Sequence, residues 1–196
     1  MDRERFERQR DFILEIDREK EVLRQTHITG YARREDDAEH AWHMAVMAYL
    51  LGEYANEPVD IARTMIMCLV HDVVEIDAGD SYAYDSSAQA THVERETHAA
   101  ERIFGLLPDD QAADLRALWE EFEADETPEA RFARAMDNVQ PLMLNDSNGG
   151  RDWVAHDVSI HETRGRNATT RLGSAELADY VEERFEANVE KGSLRP

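Results

Sequence analysis

Between residues 61 and 76 the chain reads IARTMIMCLVHDVVEI, apolar nearly all round until His71, Asp72 and Glu75 appear at its end. A run of this length favours a buried helix over a strand. Pro58 stands where a first helical turn accepts proline, and Gly79 lies where a helix would stop. A fold that takes this segment inside must also accommodate an imidazole and two carboxylates. Burying such groups together costs several kcal/mol unless something compensates. A divalent cation bonded to imidazole and carboxylate would do so. On a helix, Glu75 is one turn from His71 and three residues from Asp72, so all three face one region. The opposing reading is a helix end emerging into water, and an isolated His-Asp pair does not decide between them.

The rest of the chain repeats the helical period. Residues 4–23 place Phe6, Ile13, Ile16 and Leu23 on roughly one side among charges. Residues 38–55 and 92–105 read as helices. Asp109 reads as the cap of a helix carrying Leu115, Leu118, Trp119 and Phe122. Thr127-Pro128-Glu129 signals another start, with that helix running to about Leu144 before NDSNGG breaks it. A short helix over 151–158 and a last helix over about 174–190 complete the pattern. Residues 78–91 are polar and read as a loop. There is no run of alternating strands, no repeat and no linker. The expectation is a single all-α helical bundle over 1–196, with its core in about 10–150.

Composition excludes several classes. No stretch approaches the ~20 apolar residues of a bilayer span. The N-terminal MDRERFERQRDF lacks the apolar run of a signal peptide. Cys68 is the one cysteine, which rules out an internal disulfide or a Cys-based zinc cluster and points to a reducing, cytoplasmic setting. With 22 basic and 43 acidic residues, the net charge is -21, which repels nucleic acid and anionic membranes. Lys20 and Lys191 are the only lysines. Such a surface fits adaptation to high salt, or an acidic, arginine-biased source; the sequence leaves both open. An anionic substrate would need local positive charge from a metal and arginines.

Two further positions repeat the pattern of a polar residue in an apolar helical setting. His40 lies in AEHAWHMAVMAYL, with His43 one turn on, and Asp137 lies in RFARAMDNVQPLML. Individually each has an ordinary explanation: a satisfied core histidine, or an aspartate paired with Arg134. His43 competes as an extra ligand or as a partner of one. His27, His92, His98, His156 and His161 read as surface or loop residues, with His92 and His98 flanking the loop beyond Asp80.

Together the order is His40, His71-Asp72, Asp137, on separate predicted helices. With REDDAEHAWHMAVMA, LVHDVVEIDAGD and ALWEEFEADETPEARFARAMD, the chain resembles the HD-domain metal-dependent phosphohydrolases over residues 10–150. Within them it looks like the 5'-deoxynucleotidase branch. The resemblance implies an HD-type helical bundle that holds one divalent ion (Mn, Co, Fe, Zn or Mg) through His40, His71, Asp72 and Asp137. Two imidazoles and two carboxylates suit such metals. It implies phosphoric monoester hydrolysis of a small-molecule nucleotide by metal-activated water, with Asp72 and Glu75 as catalytic groups and Asp80 lining the sugar side. It further implies an arginine ahead of His40 that holds phosphate, for which Arg24, Arg33 and Arg34 are candidates. Counted back from His40, Gln25 falls nearest the family arginine's position, and Thr26 stands where the family has a tryptophan after it. The resemblance also suggests a homodimer, for which the terminal helices could supply the interface or could equally close the monomer core.

Other readings keep part of this evidence. A pyrophosphohydrolase or phosphodiesterase would use the same site on another phosphorylated metabolite. A di-iron carboxylate bundle wants Glu-x-x-His on two helices, and no histidine here has a glutamate three residues before it. A non-catalytic helical protein with a structural metal site is the remaining alternative.

Overall fold

The computed structural model describes residues 1–79 and 92–196, apart from the side chain of His92. The helices are α1 (Arg3–Ile16), α2 (Asp37–Leu51), α3 (Ile61–Val70), α4 (Glu75–Ala78), α5 (His92–Phe104), α6 (Asp109–Ala124), α7 (Pro128–Ser147), α8 (Arg151–Ala155), α9 (Ile160–Arg166), α10 (Thr170–Gly173) and α11 (Ala175–Lys191). A hairpin of β1 (Leu23–His27) and β2 (Arg34–Asp36) is inserted ahead of α2. This is the all-α bundle expected from the sequence. The hairpin was not: five and three residues are too few to show alternation, and Arg24 and Glu35 sit on its two strands.

The centre of the bundle is α7. Thr127 caps it by accepting from Ala130 N–H, and Pro128 occupies its first turn, as the sequence indicates. Phe132, Ala133, Met136, Val139 and Leu142 on α7 are buried, and α2, α3, α6, α10 and α11 pack around it. Gly173 lets α10 approach closely: a Cβ there would lie 2.1 Å from the Arg131 carbonyl oxygen. Near its middle, Pro141 has no N–H to offer the Asp137 carbonyl, so the helix lacks one backbone bond beside the site.

The run 61–76 is not one helix. α3 stops at Val70, His71 to Val74 form a turn, and α4 restarts at Glu75. His71 keeps right-handed helical angles, so the apolar pattern continues through the break and hides it. Gly79, at φ 77°, ends α4 as expected.

At the N-terminus the expected apolar face is corrected. α1 ends at Ile16, Leu23 belongs to β1, and Phe6 and Ile13 are exposed; the anchor is Phe12, buried against Phe104. Arg5 and Arg8 pair with Asp110 and Asp109. Those aspartates lie in the first turn of α6, whose cap position is Pro108 rather than Asp109. α11 covers the opposite side, burying Leu177, Val181 and Phe185.

Candidate metal centre

Local sequence fixes each part of the site. Asp36 caps α2 by accepting from Glu39 N–H at 2.9 Å, and the Glu39 carboxylate accepts from Asp36 N–H at 3.3 Å. This capping box sets the phase of α2 so that His40, one turn in, points inward and is fully buried. His71 is the last, capping residue of α3, and Asp72 follows in the turn. Glu75, on the first turn of α4, is buried as well. Asp137 faces the same point from the middle of α7.

The structure brings His40, His71, Asp72 and Asp137 together. His40 Nε2 lies 3.3 Å from Asp137 Oδ1 and 3.9 Å from Asp72 Oδ2. His71 Nε2 lies 3.0 Å from Asp72 Oδ2 and 3.9 Å from Asp137 Oδ1. Glu75 joins the rim: an oxygen each from Asp37, Asp72 and Glu75 falls within 4.8 Å of the others.

Each imidazole is turned the same way. His71 Nδ1 is 2.9 Å from the Cys68 carbonyl oxygen, which can only accept, so Nδ1 carries the proton. His40 Nδ1 is 3.0 Å from Gln140 Oε1. Both Nε2 atoms are turned toward the carboxylates, His40 Nε2 within hydrogen-bond distance of Asp137 Oδ1. His71 Nε2 is buried and makes no aligned hydrogen bond despite its short distance to Asp72. Two imidazole nitrogens facing two carboxylates are a donor set that fits a divalent cation.

The electrostatics agree. Burial pushes His40 down to about 4, with Arg24 adding to the effect, so the ring is neutral. Burial opposes the charge on Asp72, but His71 and Arg24 outweigh it and hold the carboxyl well below its usual range. Burial likewise opposes ionisation of Asp137, and Arg166 and the two imidazoles overcome it. Burial disfavours a proton on His71, yet Asp72 and Asp137 raise its affinity above that of a free histidine. A cation at this point would take the place of that proton.

Arg24 lies in the centre, its Nη1 2.7 Å from Asp72 Oδ2 and 3.2 Å from Asp37 Oδ1. Burial works against its charge, but Asp72 and Asp37 hold the proton more firmly than usual. The other two candidate arginines are elsewhere: Arg33 is held by Glu39 at the surface, and Arg34 is exposed on β2. Asp80 falls outside the described residues.

Two partners were missed in the sequence. Arg166, the last residue of α9, places Nη2 2.7 Å from Asp137 Oδ2, closer than Arg134 at 3.8 Å. Gln140, one turn after Asp137, links His40 to Glu35 and to His43. His43 thus meets Gln140 through Nδ1 at 3.1 Å. His27 is half-buried and paired with Asp152 at 2.7 Å, not a free surface group; His98, His156 and His161 are exposed.

The family match extends across the elements that carry these residues. The HD domain family matches residues 16–178. The 5'-deoxynucleotidase HDDC2 of Danio rerio is 32% identical over 120 residues, 59% of this chain and 58% of that protein. The HDDC2 of Homo sapiens is 32% identical over 111 residues, 57% of this chain and 53% of its own. The chain thus spans little more than half the length of these relatives. The 5'-deoxynucleotidase hdd1 of Schizosaccharomyces pombe is 25% identical over 172 residues, covering 84% and 85%. A crystal structure of a predicted metal-dependent phosphohydrolase from Magnetospirillum magnetotacticum MS-1 superposes with a TM-score of 0.93 at 47% identity, covering 98% of this chain and 96% of that one. By the extent of the family match and by this likeness over nearly its whole length, the chain belongs to the HD domain family.

Proposed function

We propose that the chain is a metal-dependent phosphoric monoester hydrolase that removes phosphate from (deoxy)nucleoside 5'-monophosphates. The observation that carries this is the pair of imidazoles whose Nδ1 atoms meet acceptors elsewhere and whose Nε2 atoms face Asp72 and Asp137. The names of the relatives, 5'-deoxynucleotidases and a metal-dependent phosphohydrolase, support the substrate class.

In this reading His40, His71, Asp72 and Asp137 hold one divalent ion, with Mn, Co, Fe, Zn and Mg as candidates. Such an ion, when bound, lowers the pKa of its water and neutralises phosphoryl charge. Glu75, buried at the rim, handles the proton near the scissile bond. Of the three candidate arginines, Arg24 alone reaches the carboxylates, so it is assigned to the phosphate; Arg33 and Arg34 are set aside for their surface positions. Asp80 stays assigned to the sugar side on the resemblance alone. The test is phosphate release from a panel of nucleotides with Mn or Co. No phosphate from any nucleoside 5'-monophosphate would reject the substrate. Pyrophosphate or a phosphodiester product would move the assignment to the pyrophosphohydrolase or phosphodiesterase alternative.

We also read the chain as a cytoplasmic homodimer that binds neither nucleic acid nor membrane. The charge of -21 and the single, buried Cys68 support the setting. No described helix is long and apolar enough to cross a membrane. Phe12 of α1 and Leu177, Val181 and Phe185 of α11 face the monomer core, and we place the interface on the outer faces of α2 and α3. From His40 to Gly52 the chain has no charged residue; Trp42, Val46, Tyr49 and Leu50 are exposed on α2, and Ile66 and Leu69 are exposed on α3, which packs against it.

A further inference from the structure

Gln140 is wholly buried and makes three side-chain hydrogen bonds to two other elements. Its Nε2 donates to Glu35 Oε1 at 2.6 Å and to His43 Nδ1 at 3.1 Å, while its Oε1 lies 3.0 Å from His40 Nδ1. An ionised carboxylate only accepts. Turning the amide over would bring two acceptor oxygens together at the 2.6 Å contact. Glu35 therefore fixes which end of the amide faces His40, and that end also only accepts. Glu35 Oε2, 3.7 Å from His40 Nδ1, is a second acceptor on the same side.

A neutral imidazole has one ring proton, so a proton held on Nδ1 leaves Nε2 bare. His71 obtains this arrangement from the Cys68 main-chain carbonyl, whose orientation the helix guarantees. His40 depends on a side-chain amide that can point either way. That difference gives the buried Glu35 a task. A carboxylate only 2% exposed is costly unless its bonds are needed.

We propose that Glu35 and Gln140 act as a pair that sets the tautomer of His40, Gln140 being the positioning residue that keeps Nε2 bare for a cation. The second half rests on the metal-site reading; the tautomer is a property of the protein without metal.

The test uses the metal-free, nitrogen-15-labelled chain at pH 8. Long-range proton–nitrogen correlation spectra separate the two ring nitrogens, with His40→Gln giving the assignment. The wild type should show His40 protonated on Nδ1. Gln140→Met keeps an unbranched side chain and removes donor and acceptor. It should shift His40 toward the Nε2 proton and weaken Mn²⁺ binding, measured by calorimetry, about 10- to 100-fold. The double exchange of Glu35→Gln with Gln140→Glu puts an acceptor back on His40 and a donor opposite it. It should restore the Nδ1 proton and Mn²⁺ binding near that of the wild type. A Gln140→Met protein with the Nδ1 proton and undiminished Mn²⁺ binding overturns the proposal. If Gln140→Met does not fold, Glu35→Met decides: the released amide can turn, both tautomers should appear, and one unchanged tautomer overturns it. A wild type that binds no Mn²⁺ defeats the metal-site reading instead, while the tautomer of its His40 still judges this one.

Discussion

Arg166 holds the outer oxygen of Asp137, its Nη2 2.7 Å from Oδ2, while the inner oxygen Oδ1 lies 3.3 Å from His40 Nε2. One carboxylate thus joins a half-exposed arginine to the buried centre. Groups that orient a ligand in this way typically change metal affinity 10- to 100-fold when removed. Arg166→Met should weaken Mn²⁺ binding by about that factor, with Arg166→Lys recovering part of it because a point charge replaces the planar fork. Calorimetric titration of both variants checks this. Undiminished binding in Arg166→Met would show that Asp137 needs no such support.

Asp72 and Glu75 should separate metal binding from chemistry. Asp72→Ala removes an oxygen 3.0 Å from His71 Nε2 and 2.7 Å from Arg24 Nη1. It should abolish Mn²⁺ binding and turnover and lower metal-free stability by about 3 kcal/mol, since Asp37 remains for Arg24. Glu75→Gln preserves shape and removes the carboxylate proposed to handle the proton. Its kcat should fall about 10²- to 10⁴-fold while Mn²⁺ affinity holds. Equal loss of binding in both variants would move Glu75 from the chemistry to the metal.

How much of this was legible follows from the range of the interactions. Thr127-Pro128 announced α7 because capping is local, and the four candidate ligands stood out as polar groups in apolar helices. The hairpin did not, being too short for a period. The break after Val70 did not, because Val73 and Val74 are buried and continue the apolar run. Arg24 could not be chosen over Arg33 and Arg34 by spacing, since the choice depends on the β1–β2 register, Leu23 opposite Asp36. Gln140 and Arg166 had no sequence signal: an amide and an arginine among many gain meaning only from what they touch 100 and 29 residues away.

Glu19 should make the metal-free protein less stable as pH rises. It is buried on the 3-10 turn Asp17–Glu21, and burial, with Asp72 and Asp37 nearby, pushes it from 4.5 up to about 8. Between these values the folded chain keeps a proton that the unfolded chain has lost. Stability therefore falls through this window and stays low above it. Glu19→Gln removes the effect, and should raise stability at pH 9 by on the order of 3 kcal/mol while changing little at pH 4. Urea unfolding at both pH values measures it, and an equal effect at both would show that Glu19 is ionised in the folded state.

The face of α2 and α3 yields the prediction for assembly. Trp42, Tyr49 and Leu50 are 63%, 67% and 62% exposed, and Val46, Ile66 and Leu69 add to them. With about 200 Å² for a large side chain, the six expose on the order of 600 Å². That is the upper end of the largest apolar patch on a typical monomer, about 300–600 Å², and most of the ~800 Å² that each partner contributes to a standard interface. A second copy is the occupant favoured by charge. The patch is neutral, so a two-fold axis through it sets apolar surface on itself and keeps the acidic surfaces of two highly charged chains at the rim. Light scattering after size exclusion should give a dimer for the wild type. Tyr49→Arg with Leu50→Arg should give a monomer whose far-ultraviolet circular dichroism is unchanged, because both side chains point away from the core. A wild-type monomer, or a double variant that stays dimeric, would remove this face from the assembly.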